Sequence, residues 1–262
     1  MSSINPRADP VMNGRVAIVT GGAGWLGSVM TEALAAAGAQ VVIASRDGEV
    51  GGAFARSVVE AGYRVRHVAY DQGDEASIEN LVGDVLGAEG RIDVLVNNAA
   101  AWPMRDRQGP IADFARSMQV NLTGLFSLTR RVARHMAATD GGSIVNVGSS
   151  FGQVAPDFAI YEGIAPNSGL PDYFIHKGGM LQLTRYFAAA FGKEKVRVNT
   201  LVLGPFRKKQ TEELAARFAG RTLLQRMGDV REVQGPLLFL ASDASSYVTG
   251  SHLVVDGGYT AI

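Results

Sequence analysis

The chain reads as an α/β protein: seven short strands alternate with helices and form a parallel, doubly wound seven-stranded sheet with helices on both faces. Three observations predict this. Runs of Val, Ile, Leu and Ala recur without polar alternation, as strands buried on both faces require. The segments between them carry apolar residues at helical spacing. A glycine cluster follows the first run directly and precedes the first helical segment.

The elements follow in order. Val16-Ala17-Ile18-Val19-Thr20 is the first strand, and residues 23–37 form a helix through Leu26, Met30, Ala33 and Leu34 that stops at Gly38. Gln40-Val41-Val42-Ile43-Ala44 is the second strand. Helices near 50–61 and 74–88 then separate strands near 64–69 and 93–96. A long helix over 111–138 leads to Ser143-Ile144-Val145-Asn146-Val147, and a helix over 173–191 leads to the strand Val196–Leu201. A helix over 229–241 and the strand His252–Val255 close the chain. Residues 1–14 are polar and proline-containing, so they read as a flexible segment without the apolar core of a signal peptide. Residues 15–262 make a single domain. Two stretches interrupt the rhythm: a loop insertion at 151–172, rich in Pro and Gly, and a flap at 203–222. Both follow strand ends, where open parallel sheets bind ligands.

Composition narrows the function. Twenty-five basic and 25 acidic residues leave a formal charge of zero, which argues against general nucleic-acid binding. No run is long and apolar enough for a membrane span. Zero cysteine excludes disulfides, thiolate catalysis and Cys-zinc sites. A cytoplasmic protein with no metal is expected. Glycine, 32 residues of 262, exceeds the usual ~7% and needs placing.

The turn Thr20-Gly21-Gly22-Ala23-Gly24-Trp25-Leu26-Gly27 joins a buried strand to a helix. Glycines there let the backbone approach a pyrophosphate at the positive helix N-terminus. At the end of the second strand stand Ser45, Arg46 and Asp47. Arg46 suits the 2′-phosphate of NADP or stacks on adenine, while the adjacent Asp47 keeps NAD open. The reading leans to NADP.

Tyr173-Phe174-Ile175-His176-Lys177 sets a phenol and an ammonium four residues apart on one helix face. With Ser149-Ser150, Asn97-Asn98-Ala99-Ala100, the segment VNLTG containing Asn121, and the terminal VDGGY, the chain resembles the short-chain dehydrogenase/reductase family over roughly residues 12–260. The resemblance implies a Rossmann-like fold and hydride exchange between a nicotinamide and a hydroxyl or carbonyl carbon. It implies Tyr173 as acid/base, with Lys177 lowering its pKa and holding the nicotinamide ribose. Ser150 would bond the reacting oxygen, and Asn121 would anchor a relay water. Cofactor contacts are implied for Gly21, Gly24, Trp25, Leu26, Gly27, Ser45, Arg46, Asp71, Gln72, Asn98, Tyr173, Lys177, Gly204 and Phe206. His176 is expected to pack or face solvent, with no catalytic role.

The chain also departs from the family. Compact members carry Gly where Trp25 stands, so Trp25 is expected to point away from the pyrophosphate, and Gly24 offers no cation to a 2′-phosphate. Ser150 and Tyr173 lie 23 positions apart, about ten more than is common in the family. The extra loop holds Tyr161, Glu162 and Asn167, read either as walls of the substrate pocket or as a rigid surface loop. Arg207-Lys208-Lys209 opens the flap and reads as an anion site or a solvated helix start, with Arg105 and Arg107 approaching from the other side. The expected substrate contacts are therefore Ser150, Tyr161, Glu162, Tyr173, Arg207, Lys208 and Lys209. The expected substrate is a small polar molecule, a sugar or sugar derivative, with an anionic group as its sharper form. The alternatives are a 3-oxoacyl-carrier-protein reductase, whose basic patch would face an acidic carrier, and a non-catalytic dinucleotide sensor or scaffold. The resemblance further implies a homotetramer, or a dimer, built on the helices near 111–138 and 173–191 and on the C-terminal strand.

Overall fold

The computed structural model describes residues 11–165 and 167–261. Seven parallel strands form one sheet in the order β3-β2-β1-β4-β5-β6-β7: β1 Val16–Thr20, β2 Gln40–Ser45, β3 Val65–Ala69, β4 Val94–Asn97, β5 Gly142–Ser149, β6 Val196–Leu203 and β7 His252–Val255. The order reverses between β1 and β4, and the strand ends open a crevice there.

The two-residue period of the strands sorts their side chains into two cores. Val19, Ile43, Val96, Val145 and Leu201 pack on one face against α1 (Trp25–Ala36), α2 (Gly48–Glu60) and α8 (Gln234–Ala241). Ile18, Val42, Leu95, Ile144 and Val198 pack on the other against α3 (Glu75–Glu89), α5 (Leu125–Ala137) and α6 (Pro171–Phe191). Residues covered on both faces explain why the strand runs lack polar alternation. Between the cores runs a buried chain of polar bonds. Asn97 donates to Thr129 and Asn146, Asn146 donates to Thr184, and Thr184 meets Thr200. This chain ties α6 to β4, β5 and β6 about two helical turns beyond Lys177.

Several expectations need correcting. Residues 1–10 lie outside the described residues. The domain nevertheless starts before residue 15, because Met12 is buried in the core and its amide donates to the carbonyl of Ala37. The single helix expected over 111–138 is α4 (Ile111–Met118), a π-helical turn (Gln119–Gly124) and α5. Gly124 makes that turn possible: a Cβ there would sit 1.7 Å from the carbonyl oxygen of Gln72, so helix and loop meet at backbone distance. The flap contains a helix that the sequence reading lacked, α7 (Glu212–Ala219), capped by Thr211.

The insertion is neither free nor irregular. Phe158–Tyr161 forms a 3-10 turn, and Ile160 and Tyr161 pack with Phe218 of α7 and Tyr259 in a separate small core. Arg217 of α7 donates to the carbonyls of Ala159, Ile160 and Glu162 at 3.2, 3.3 and 2.7 Å. Arg221 pairs with Asp157. Insertion and flap helix therefore form one buttress beside the strand ends.

Candidate active site and cofactor groove

Two adjoining hollows open at the strand ends. The first is a groove of about 450 Å³ lined by Gly21, Gly24, Trp25, Leu26 and Gly27, by Ser45, Arg46 and Asp47, and by Asp71, Gln72 and Asn98. Gly24 caps α1 without a side-chain acceptor, so the first amides of the helix stay open to an anion. A Cβ on Gly27 would lie 2.0 Å from the carbonyl oxygen of Gly21, so only glycine lets the helix start this close to the turn. A dinucleotide fits this cradle. Asp47 spends its carboxylate capping α2 at the amide of Val50, 2.9 Å away, which leaves the exposed Arg46 as the uncommitted charge at the end of β2. The Gln72 amide donates to the carbonyl of Val120, so that side chain braces the π-helical turn from inside the groove. Asp71 accepts from the amide of Gly73.

The second hollow, about 250 Å³, lies beside Tyr173. Tyr173 and Lys177 stand on the first turns of α6, which begins with Pro171 at its first position. The Tyr173 ring packs on Trp102 at 4.7 Å between centroids and meets His176 edge-on at 5.2 Å. Lys177 is buried and donates to the carbonyl of Val147 at 2.6 Å. Burial holds its ammonium down to about 8. Burial likewise pushes the Tyr173 phenol up, offset only in part by a hydrogen bond with the Ser149 side chain. Burial is the larger influence on the phenol. The ammonium lies 5.8 Å from the ring centroid and is bound to a carbonyl.

Both serines of the pair line the hollow. Ser149, the last residue of β5, meets Tyr173 and also accepts from the amide of Phe151. Ser150 opens the following 3-10 turn, lines the hollow and is 1% exposed. Two adjacent serines at a strand end differ by one step of the pleat, and the letters alone do not say which one faces the helix.

Asn121 sits in the π-helical turn, buried, where its side chain exchanges two 2.8 Å bonds with the backbone of Ala101. It also approaches Nδ1 of His176 at 3.4 Å. His176 is fully buried rather than solvent-facing, and desolvation drops its imidazole to about 3. Gly204 and Phe206 line the hollow, joined by Gln210 and Phe218 of the flap and by Met227 beyond it, which the sequence reading did not name.

The remaining substrate expectations move away from the site. Tyr161 is buried in the small core against Phe218, and Glu162 is exposed; neither lines the hollow. Asn167 is exposed too. Arg107 lies over the Phe158 ring at 4.6 Å. Arg207 pairs with Glu212 just beyond it. Lys208 stands over the Trp25 ring at 5.2 Å and lines the cofactor groove, and Lys209 lines neither hollow. Trp25 borders both hollows. Among the described residues no group of three His, Asp or Glu side chains is placed to hold a metal ion. No helix among them is long and apolar enough to cross a membrane.

Comparison with known proteins agrees with this geometry. A family profile described as enoyl-(acyl carrier protein) reductase matches residues 22–260. The chain is 36% identical to the cis-4-hydroxycyclohexanecarboxylate dehydrogenase of Sinomonas cyclohexanicum over 95% of its length and 97% of that protein. It is 32% identical to the 7α-hydroxysteroid dehydrogenase of Bacteroides fragilis, covering 94% of each chain. The crystal structure of a gluconate 5-dehydrogenase from Burkholderia cenocepacia, in complex with NADP and tartrate, superposes with a TM-score of 0.87. The two are 30% identical over 97% of this chain and 98% of that one.

Proposed function

Because the chain belongs to the short-chain dehydrogenase/reductase family, and so is an NAD(P)-dependent oxidoreductase acting on hydroxyl groups, we propose that it interconverts a secondary alcohol and its ketone on a small molecule through Tyr173, Ser149 and Lys177. The observation that carries this reading is the single hollow that brings Ser149, Tyr173 and the buried Lys177 together beside a dinucleotide cradle.

Bound in the groove, the nicotinamide supplies or accepts the hydride. The rest belongs to this chain's side chains. Tyr173 exchanges the proton with the substrate oxygen, and the Ser149 hydroxyl bonds that same oxygen, the part expected of Ser150. A buried phenol with a raised pKa needs positive charge nearby to ionise, and Lys177 is the charged side chain lining the hollow among the described residues. Asn121 holds the segment around Ala101 in place from the π-helical turn. Arg46 favours NADP over NAD, supported by the capping role of Asp47 and by the NADP held in the gluconate 5-dehydrogenase structure. Lys208 stands where a cofactor phosphate would pass near Trp25, which supports a cofactor contact rather than a substrate contact.

The relatives point to two substrate types, a sugar acid and ring alcohols. The sugar reading drawn from the sequence is supported by the first. Its anionic form loses support, since none of Arg207, Lys208 and Lys209 lines the hollow. A homotetramer is supported by apolar side chains exposed on the helices expected at the interface: Phe126 on α5, and Ile175 and Tyr186 on α6. A cytoplasmic setting follows from dependence on the nicotinamide pool.

The test is a cofactor-reduction screen of alcohols and ketones with NADP and NAD in parallel. Tyr173→Phe should remove turnover while calorimetric cofactor affinity stays within about threefold of wild type. Ser149→Ala should lower kcat on the order of 100-fold, and Ser150→Ala by less than tenfold. The reverse ranking of the two serines would return the catalytic role to Ser150.

A further inference from the structure

The hollow beside Tyr173 is lined by a few polar side chains and by a larger apolar set. The polar side chains that can meet a substrate are the hydroxyls of Ser149, Ser150 and Tyr173; the ammonium of Lys177, also on the lining, already donates to the carbonyl of Val147. The large side chains of the rest of the wall include Trp102, Phe151, Phe206, Phe218 and Met227, and no acid, arginine or histidine stands among the described lining residues.

The two other polar side chains on the lining are already used. Gln210 accepts from the amide of Lys208 at 2.7 Å and donates to the carbonyl of Phe206 at 3.1 Å, so it staples the entry of the flap. Asn98 directs its amide hydrogens to the carbonyls of Thr20 and Gly21 at 2.9 and 3.2 Å. A polyol or sugar acid placed here would satisfy one hydroxyl at Tyr173 and press the others against aromatic rings. Each buried, unpaired hydroxyl carries the full desolvation penalty. A carbocycle loses nothing, and its faces match the aromatic wall.

We propose that the substrate is a small alicyclic secondary alcohol or its ketone, a single carbocycle whose reacting carbon bears the one polar group the pocket recognises. This rests on the reaction proposed above and narrows its substrate. In the oxidative direction the hydroxyl proton passes to Tyr173 and the carbinol hydride to the oxidised cofactor, leaving ketone, reduced cofactor and one proton.

The experiment compares kcat/KM of the full chain for 4-methylcyclohexanol and 4-methylcyclohexanone with that for galactitol and gluconate, using both cofactors. The carbocycles should lead by on the order of 100-fold, the discrimination expected when several hydroxyls go unpaired. Met227→Gln, checked for an unchanged melting temperature, should narrow that lead roughly tenfold by adding a hydrogen-bonding amide to the wall. A polyol or sugar acid turned over as well as the carbocycles overturns the substrate class and leaves the reaction standing. An unchanged lead in folded Met227→Gln overturns the assignment of the apolar wall. No turnover of any alcohol or ketone, with cofactor still bound, overturns the reaction itself.

Discussion

Lys177 exposes the cost of building this site at the scale of a residue. Its ammonium is buried, its one recorded partner is a carbonyl, and its pKa falls from the ordinary lysine range to about 8. In the unfolded chain it titrates near ~10.4, so between about pH 8 and 10.4 the unfolded state binds more protons than the native one. Stability therefore rises with pH across that window, and below it the folded state bears the full penalty. Lys177→Met should remove turnover and raise stability at pH 7 by roughly 2 kcal/mol, after allowing for the unpaired carbonyl of Val147. Denaturant melts at pH 7 and pH 10 check this: the gain should shrink at the higher pH. An equal gain at both would show that lysine titration is not its source. His176 works differently. With its pKa near 3 it stays neutral through the working range, so its imidazole contributes packing against Tyr173 and Asn121 and no titration.

At the scale of elements, the insertion and α7 are coupled through Arg217 and the small core around Tyr161. Arg217→Ala leaves three carbonyls without their donor, a local loss of about 1–3 kcal/mol. Amide hydrogen exchange over 157–165 and 212–219 should then quicken together, while β4 and β5 keep their protection. If only the insertion quickens, the two do not act as one buttress. Elements also show what the sequence disclosed and what it withheld. The strand runs were legible because burial on both faces demands uninterrupted Val and Ile, as in Val41-Val42-Ile43. The π-helical turn was not, because Gln119–Gly124 continues the apolar spacing of its neighbours and only the approach of Gln72 forces the wider turn. The basic cluster misled for a related reason. Charge is visible in sequence, but the pairing of Arg207 with Glu212 and the seat of Lys208 on Trp25 are tertiary facts. The lysine and the tyrosine of the site were legible from their spacing taken together with the glycine turn and the strand-end motifs that carry the resemblance, whereas choosing between Ser149 and Ser150 required knowing where the pleat ends.

For the whole molecule, the sheet presents β7 at one edge and apolar side chains on two separate faces. Phe126, Ile175 and Tyr186 mark the face of α5 and α6; Phe239, Tyr247 and Val254 mark the region of α8 and β7. Apolar side chains exposed in groups point to burial against another chain. Two such faces, each pairing with its own copy, would close a dihedral tetramer, where a single face would stop at a dimer. Sedimentation velocity at micromolar concentration should give one species of four chains, and Tyr186→Glu should reduce it to dimers with unchanged secondary structure. A wild-type monomer would remove both faces from consideration.

The seating of the two tryptophans has a practical consequence. The chain holds only two, Trp25 and Trp102, and both border the cofactor groove and the hollow beside Tyr173. All of the protein's indole emission therefore originates at the site, with no background from a remote core. A reduced nicotinamide in the groove is a close acceptor for that light. Quenching and energy transfer thus follow occupancy directly, and the unlabelled enzyme serves as its own optical probe of binding.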